Sequence, residues 1–205
     1  MTLLIASAVA AELEPLALTL RAQAFEGGWR CPGLVLAPLG IGALNAAVGL
    51  GRWSGEVAEV IFAGSAGIFP EAGFQIGQVV EVSEVGWAEG AVALGLAHSP
   101  LMDRNRTLVA GPRTFGCPKA KVANTGAVTQ DLGLAQALAR SSGAELETLE
   151  LYGLALAASK AGLPWSALLG LTNQVGPLGQ EQWKANYKNL AQAVGEVLAR
   201  AWSRI

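Results

Sequence analysis

The sequence predicts an α/β protein in which helices cover both faces of a central sheet. Short apolar runs alternate along the chain with longer segments of helical periodicity, and this alternation is typical of helix–sheet–helix architectures. Several of the runs are apolar throughout, as expected for strands buried on both faces. No repeat or linker composition interrupts the 205 residues. We therefore expect a single domain spanning residues 1–205.

Five segments are predicted to be strands and five to be helices. The strands are the apolar runs 3–9, 33–40, 59–67, 78–86 and 167–173. Apolar residues at intervals of three and four predict helices over 11–24, 42–53, 131–141, 149–162 and 180–203. The segment 99–121 lacks clear periodicity and is rich in Pro, Gly and Arg. We predict a long loop there, of the kind that often carries function.

Composition and charge narrow the class of protein. The chain is 52% hydrophobic and 15% charged, with a formal net charge of −2 and no block of like charges. These values predict a compact fold and indicate neither nucleic acid nor a membrane as partner. The N-terminus lacks a basic segment, and Glu12 follows its apolar run closely, so we predict a strand entering a helix and not a signal peptide.

The number and spacing of the histidine and cysteine residues argue against catalysis or metal binding by these side chains. The two cysteines, Cys31 and Cys117, have no metal-type spacing and are predicted to be reduced thiols of a cytoplasmic protein. The single histidine, His98, is predicted to lie at the surface. A single histidine does not favour a histidine-based triad or a His-rich metal site. Any chemistry must depend on carboxylates and amides.

Two of the candidate groups follow predicted strands. Glu12 lies just after the first strand, in the first turn of a helix whose N–H groups favour an anion. The alternative is an ordinary helix-start acid, a role that Glu14 could fill equally well. The turn "FAGSAG", which contains Gly64 and Ser65, could bring backbone N–H groups and a hydroxyl to a ligand. A simple tight turn explains it as well.

Two further candidates lie in the C-terminal half of the chain. Glu150 opens a helical segment after "ELETLE", where a carboxylate could accept both hydroxyl hydrogens of a ribose diol or could simply be a helix-start acid. Asn173 ends the apolar run "ALLGLTN". A buried amide costs free energy unless its donor and acceptor are paired, so Asn173 is predicted to bind a ligand.

Together these segments resemble the purine nucleoside phosphorylase and nucleosidase superfamily over nearly the whole chain. "LLIASAVAAELEPL" resembles its opening strand with a glutamate, and "LGIGALNAAVG" its "GIGKVAAA" segment. "FAGSAGIFPEAGFQIGQVVEVSE" is similar to "TGSAGGL…IGDVVV", and "ETLELYGLALAASKAGLPWSALLGLTNQVG" to "VEMEgaA…VPF…RAISD". The motifs are closest to those of the 5'-substituted nucleosidases, the methylthioadenosine/S-adenosylhomocysteine nucleosidases and, more specifically, the futalosine hydrolases.

The resemblance implies a three-layer nucleoside phosphorylase-like fold with a mixed, mostly parallel central sheet, in a homo-oligomer that binds a nucleoside. It implies that Glu12 activates the attacking water and that Glu150 holds the ribosyl 2'- and 3'-hydroxyls. It places Leu149 against the sugar, with Ala127 and Val128 at the base. No metal or organic cofactor is implied.

Departures from the family pattern refine the expected reaction. Where the phosphorylases of this superfamily place a phosphate-binding arginine, this chain has Phe62, which favours water as the nucleophile. The adenine-releasing nucleosidases have aspartate at the position of Asn173. An amide can donate to O6 and accept from a protonated N7, so we expect Asn173 to read hypoxanthine as leaving group.

The expected function is hydrolysis of futalosine to hypoxanthine and dehypoxanthinylfutalosine, a step of menaquinone biosynthesis. Arginines of the basic loop, Arg104, Arg106 or Arg113, are candidates to pair with the benzoate of futalosine, although each could equally be a solvated surface residue. The alternatives are an adenine-releasing methylthioadenosine/S-adenosylhomocysteine nucleosidase, a 6-oxopurine phosphorylase and a non-catalytic nucleoside-binding protein.

Overall fold

The computed structural model describes residues 2–99, 107–111 and 113–202. The strands are β1 (Leu3–Ser7), β2 (Gln23–Phe25), β3 (Gly28–Cys31), β4 (Leu34–Pro38), β5 (Glu59–Ile68), β6 (Val79–Trp87), β7 (Leu108–Val109), β8 (Lys119–Asn124), β9 (Leu146–Thr148) and β10 (Trp165–Gln174). The helices are α1 (Ala10–Thr19), α2 (Ala43–Gly51), α3 (Gly90–Ala93), α4 (Leu132–Ser142), α5 (Leu151–Lys160) and α6 (Gly179–Trp202).

All these strands belong to one sheet, in the order β10-β6-β8-β9-β5-β1-β4-β3-β2, with β7 on β6. Because β10 also pairs with β5, the strands β5, β10, β6, β8 and β9 close into a ring. The predicted α/β class is confirmed. The expectation of a mostly parallel sheet is wrong, since β2–β3, β3–β4, β5–β9, β6–β7 and β6–β10 are all antiparallel pairs.

Short connections explain part of this difference. Only two residues separate β2 from β3, and only two separate β3 from β4. A link of that length can join antiparallel neighbours but not parallel ones, which need a crossover of a dozen residues or more. The ring closure adds the antiparallel contacts of β6 and β9. Periodicity alone predicted neither feature.

The predicted elements all occur, with shifted ends, and the missed elements are short. Strands β2, β3, β7, β8 and β9 and helix α3 were not predicted. The segment 99–121 was predicted to be a loop, yet it contains β7 and the start of β8. Its proline and glycine content obscured the short strand pattern.

The six described helices pack in three pairs, of which α3 with α4 is the smallest. Helix α1 packs against α6 on one side, and α2 packs against α5. The second contact depends on Gly153, because a Cβ atom at that position would lie 2.0 Å from the carbonyl oxygen of Ala43. Glycine therefore allows the start of α5 to reach the start of α2. This close approach brings the backbone N–H of Gly42 within hydrogen-bond distance of the Glu150 carboxylate.

Two expectations about the thiols and the membrane can be compared with the described residues. Cys31 and Cys117 are both free thiols and are half-buried against the core on the α1–α6 side. Within residues 2–99, 107–111 and 113–202, no helix combines the length and apolar character that crossing a membrane requires.

Candidate active site

A cleft of about 410 Å³ opens where β1, β5 and β10 end. This volume lies in the range typical of small-molecule sites. Side chains that follow the carboxyl ends of these strands line it, as expected for an α/β sheet. Its polar lining comprises Glu12, Ser65, Gln130, Glu147, Thr148, Glu150, Thr172, Asn173, Gln180 and Trp183.

Glu12 lies in the first turn of α1 and is buried at the edge of the cleft. Its Oε2 accepts a hydrogen bond from the backbone N–H of Ala8 at 3.2 Å, and its Oε1 accepts one from Ser65 Oγ at 3.0 Å. Burial, with a smaller contribution from the negative charge of Glu150, raises the pKa of Glu12 to about 7, although the hydrogen bond from Ser65 acts in the opposite direction. Glu14 is exposed and does not contribute to the lining of the cleft.

Ser65 connects Glu12 to a residue that the sequence analysis missed. The indole Nε1 of Trp183 donates to Ser65 Oγ at 3.1 Å, while the same hydroxyl donates to Glu12. The Trp183 ring stacks on Tyr187, with centroids 4.6 Å apart and planes 11° apart. The sequence analysis predicted only that residue 183 belongs to a helix over 180–203, because Trp183 follows the apolar spacing of that helix. Since α6 begins shortly after β10 ends, its first turns necessarily lie over the cleft.

Glu150 faces the cleft at the start of α5. Its Oε1 accepts a hydrogen bond from the backbone N–H of Gly42 at 2.9 Å, across the α2–α5 contact that Gly153 allows. Burial raises the pKa of Glu150, and the Gly42 hydrogen bond opposes this effect. A carboxylate held by one oxygen retains acceptor capacity on the other. It can therefore accept hydroxyl hydrogens from a ligand.

The amide of Asn173 lines the cleft in one defined orientation. Its Nδ2 donates to the carbonyl oxygen of Gln174 at 3.1 Å, and its Oδ1 accepts from Thr172 Oγ1 at 2.8 Å. A carbonyl oxygen can only accept, so the nitrogen must face Gln174. One Nδ2 proton and one Oδ1 lone pair remain for a ligand.

Two neighbours on β9 complete the polar lining, and neither was chosen from the sequence. Glu147 is buried and accepts hydrogen bonds from the hydroxyls of Thr125 and Thr129. Thr148 Oγ1 is buried and has no hydrogen-bond partner among the described residues. The sequence signal was the strand-end position of "ELETLE", but β9 is too short to reveal its register from periodicity.

The charged side chains among the described lining residues of the cleft are all carboxylates. Among the described residues, the carboxyl groups with a raised pKa are those of Glu12, Glu147 and Glu150, and all three line the cleft. None of the described lining residues is Lys, Arg or His. Perturbed carboxyl groups that converge in one cleft indicate a functional site. Within the same described ranges, no group of three His, Cys, Asp or Glu side chains is arranged to hold a metal ion.

The other predicted contacts are only partly brought together. Val128 and Leu149 line the cleft, as does Phe62. Gly64 lies instead beside a small adjoining cavity that Glu12 and Ser65 share.

Ala127 was predicted to contact the base, and the structure places it outside the cleft lining. It is exposed, and its carbonyl oxygen lies 3.0 Å from Thr125 Oγ1, whose one proton it would have to share with Glu147. The loop after β8 turns at this point, so Val128 faces the cleft while Ala127 faces solvent.

The predicted role of Arg113 is corrected by the structure. Its guanidinium donates to Glu59 Oε1 and Oε2 at 2.7 and 2.6 Å. Glu59 begins β5, whereas Ser65 and the cleft lie toward the other end of that strand. A bidentate pair at the opposite end of the sheet cannot also bind a ligand in the cleft. Arg104 and Arg106, the other two candidates, lie outside the described residues.

Solved structures with the same fold include two enzymes of Helicobacter pylori. A mutant Helicobacter pylori 5'-methylthioadenosine/S-adenosylhomocysteine nucleosidase with 5'-methylthioadenosine in its active site superposes with a TM-score of 0.83, at 13% identity, over 100% of this chain and 99% of that one. The futalosine hydrolase of the same organism superposes with a TM-score of 0.82, at 13% identity, over 100% and 98% of the two chains. The chain therefore has the nucleosidase fold.

The chain is also similar in sequence to one curated protein. The chain is 29% identical to the futalosine hydrolase of Thermus thermophilus over 198 residues, which cover 84% of each protein. No protein-family model matches the sequence. The resemblance to the phosphorylase and nucleosidase superfamily, inferred from the motifs, is confirmed.

Proposed function

We propose that this protein hydrolyses the N-glycosidic bond of futalosine and releases hypoxanthine and dehypoxanthinylfutalosine. The step belongs to menaquinone biosynthesis through futalosine. Similarity to the Thermus thermophilus enzyme supports the substrate. The observation that carries the reaction type is the cleft itself, where three buried carboxyl groups converge and no described lining residue is cationic.

Water is favoured over phosphate as the nucleophile by charge. A phosphate anion would have to enter beside Glu12 and Glu150 without a described cation to pair with it. At the position where the superfamily's phosphorylases carry arginine, the Phe62 ring is buried against the cleft. Like charges in a poorly solvated site repel each other strongly. Neutral water meets no such barrier.

Glu12 acts as the general base in this proposal. A carboxylate with a pKa of about 7 is matched to proton transfer near neutral pH. The Ser65 hydroxyl and the Ala8 N–H hold its two oxygens, which fixes its orientation toward the cleft. As the glycosidic bond breaks, positive charge develops on the ribosyl ring, and the buried negative charge of Glu12 and Glu150 stabilises it. The purine leaves with the electron pair of the broken bond and takes a proton at N7 from solvent water. A second water then adds to the anomeric carbon and loses a proton to Glu12.

Glu150 and Asn173 position the two ends of the nucleoside. The free acceptor capacity of Glu150 suits the 2'- and 3'-hydroxyls, with Leu149 beside the sugar. The remaining Nδ2 proton of Asn173 suits O6 of a 6-oxopurine, and the remaining Oδ1 lone pair suits a protonated N7. Adenine would present an amino group to the same Nδ2 proton, which places two donors face to face.

The organisation of the chain belongs to the same proposal. A single domain, a homo-oligomeric state and a cytoplasmic location were predicted, and Arg104 or Arg106 stays the proposed partner of the substrate benzoate. The exposed apolar side chains Ile41, Leu44 and Val48 at and beside α2 support an oligomer contact. Sedimentation velocity would test the oligomeric state.

The function is tested by base release, followed by chromatography, in phosphate-free buffer. Futalosine, inosine and methylthioadenosine are offered separately to the wild-type protein and to Glu12→Gln. We expect hypoxanthine from futalosine, no need for phosphate, and a rate at least about 100-fold lower in the variant. Glu14→Gln is the matched control, because Glu14 lies on the same helix but is exposed.

Three outcomes would contradict the proposal in different ways. Adenine released from methylthioadenosine would instead support the adenine-releasing nucleosidase, whose fold the chain shares. Turnover that requires phosphate would support a phosphorylase. Binding without turnover, unchanged in Glu12→Gln, would indicate a nucleoside-binding protein.

A further inference from the structure

The indole of Trp183 reaches the carboxylate of Glu12 through a single side chain. Its Nε1 donates to Ser65 Oγ at 3.1 Å, and Ser65 Oγ lies 3.0 Å from Glu12 Oε1. An indole N–H can only donate, whereas a serine hydroxyl has one proton and two lone pairs. Trp183 therefore occupies one lone pair of Ser65. Among the described residues, the carboxylate of Glu12 is the acceptor that remains for the Ser65 proton.

The first turns of α6, which carry Trp183, are held on the end of β10. Asn186 Nδ2 donates to the carbonyl oxygen of Thr172 at 2.9 Å. Gln182 Oε1 accepts from the backbone N–H of Gln174, also at 2.9 Å. These two contacts lie on either side of Trp183 in the helix. They limit the movement of the turn that points the indole N–H toward β5.

The Ser65 hydroxyl and the Glu12 carboxylate meet in poorly solvated surroundings. A cavity of about 10 Å³ borders both side chains on the side of α6, and this volume is at the lower limit of what one water needs. Tyr187 also borders it, and the Tyr187 ring stacks on the indole. The rest of its lining is formed by Gly64, Leu190, Ala191 and Val194. Away from bulk water, a hydrogen bond to a charged group is stronger.

We propose that Trp183 is a positioning residue, which commits the single proton of Ser65 to Glu12 and so orients the general base. We call the three side chains the Trp183–Ser65–Glu12 relay. The proposal rests on the proposed function, in which Glu12 takes a proton from water. Without the indole N–H, the Ser65 hydroxyl is free to turn its proton toward the cleft, which it also lines. Oε1 of Glu12 then loses its donor for part of the time.

The groups around Glu12 leave its ionisation dependent on hydrogen bonds. Burial and, to a smaller extent, the charge of Glu150 raise the pKa of Glu12, and the hydrogen bond from Ser65 lowers it. Glu147 lines the same cleft, and Tyr187 of α6 borders the small cavity. Within the part of the chain that the structure describes, no Lys, Arg or His lines either space. Since no such cation assists, the donors to the carboxylate favour its charged form.

Trp183→Phe tests the relay, because phenylalanine keeps an aromatic ring beside Tyr187 and removes the N–H. The acid limb of kcat/KM for hypoxanthine release should move to higher pH by about 0.5 unit or more, since ionised Glu12 loses part of its support. Ser65→Ala removes the proton itself and should move the acid limb by about 1 unit. The double variant should move it no further than Ser65→Ala, because both changes break one series of hydrogen bonds.

Trp202→Phe is the matched control, because Trp202 ends the same helix but packs against the core outside the cleft lining. Its acid limb should coincide with that of wild type. If Trp183→Phe lowers kcat/KM equally at every pH, Trp183 serves only packing or ligand contact, and the proposal is overturned. Additive shifts in the double variant would overturn it as well, since Trp183 and Ser65 would then act separately.

NMR of the ligand-free protein, labelled with ¹⁵N in its indoles, tests the relay without turnover and without a variant at position 183. The Trp183 N–H signal should move downfield as pH rises through about 7, the pKa of Glu12, because each hydrogen bond of a series polarises the next. Glu12→Gln should abolish this movement. A Trp183 signal that stays constant while the pH passes through this value would overturn the proposal.

The two measurements separate the relay from the proposed function. If wild type releases no hypoxanthine from futalosine and the indole signal follows Glu12, the proposed function fails while the link from Trp183 to Glu12 is supported. If hypoxanthine is released and neither the acid limb nor the indole signal responds, only the role of Trp183 is overturned.

Discussion

Replacing Glu12 by glutamine should stabilise the folded protein, and the gain should depend on pH. The pKa of Glu12 rises from an ordinary 4.5 to about 7. Between these values the folded state binds the proton more tightly than the unfolded state, so the free energy of unfolding falls as pH rises. At 1.36 kcal/mol for each pKa unit, the full cost of ionising Glu12 in the folded state is about 3 kcal/mol.

Glutamine removes this cost because it cannot ionise. Relative to wild type, the advantage should be about 3 kcal/mol at pH 8 and only about 1 kcal/mol at pH 5, where the folded carboxyl is still protonated. The amide can accept from Ser65 as Glu12 does, but its nitrogen faces the N–H of Ala8. That mismatch lowers stability equally at both pH values. The difference between the two pH values, about 2 kcal/mol or more, is therefore the quantity to measure.

Urea unfolding at pH 5 and pH 8 measures this difference in the free energy of unfolding directly. Glu14→Gln, at an exposed position of the same helix, is the control. The control should show no such difference. If Glu12→Gln changes the free energy of unfolding by the same amount at both pH values, the carboxyl ionises as it would in water. The reasoning from burial, and with it the assignment of a base poised near neutral pH, would then be refuted.

Three further predictions concern the pH dependence of catalysis, the buried hydroxyl of Thr148 and the α2–α5 contact at Gly153. The value of kcat/KM for hypoxanthine release should fall about tenfold for each pH unit below about 7, because only ionised Glu12 accepts a proton; a flat profile between pH 5.5 and 8 would contradict this. Thr148→Val removes a buried hydroxyl that lacks a partner among the described residues, so urea unfolding should show equal or higher stability, by up to about 1 kcal/mol. Gly153→Ala, with its Cβ 2.0 Å from the Ala43 carbonyl oxygen, should lose about 2 kcal/mol or more, and a stability within about 0.5 kcal/mol of wild type would show that the α2–α5 contact is not tight.

The sequence predicted those parts of the fold that are long and strongly patterned. Helix α6 and strands β5 and β10 were predicted close to their observed ends, because each repeats its apolar pattern several times. Strand β9 has only three residues, which is too few to display a period of two. The ring closure could not be predicted either, because it depends on the pairing of β10 with both β5 and β6. The apolar pattern of a strand does not indicate which other strands will pair with it.

The candidate residues that the sequence predicted to lie near the ends of strands line the cleft. Glu12 after β1, Ser65 near the end of β5 and Asn173 near the end of β10 all lie in the cleft, because neighbouring strand ends meet at one edge of a sheet. Trp183 was missed because its spacing fits a packing face. Arg113 was misplaced because a basic loop has no pattern that indicates which end of the sheet it will reach.

The position of Glu150 shows how a buried charge is supported from outside the cleft. Its carboxylate needs a donor, and the donor is the Gly42 N–H at the start of α2. That N–H reaches it only because Gly153, one turn along α5, lets the two helices approach to backbone contact. A larger residue at 153 would separate the helices and leave Glu150 buried with one donor fewer. A packing glycine with no atom in the cleft thus helps to set the charge that the cleft presents to its ligand.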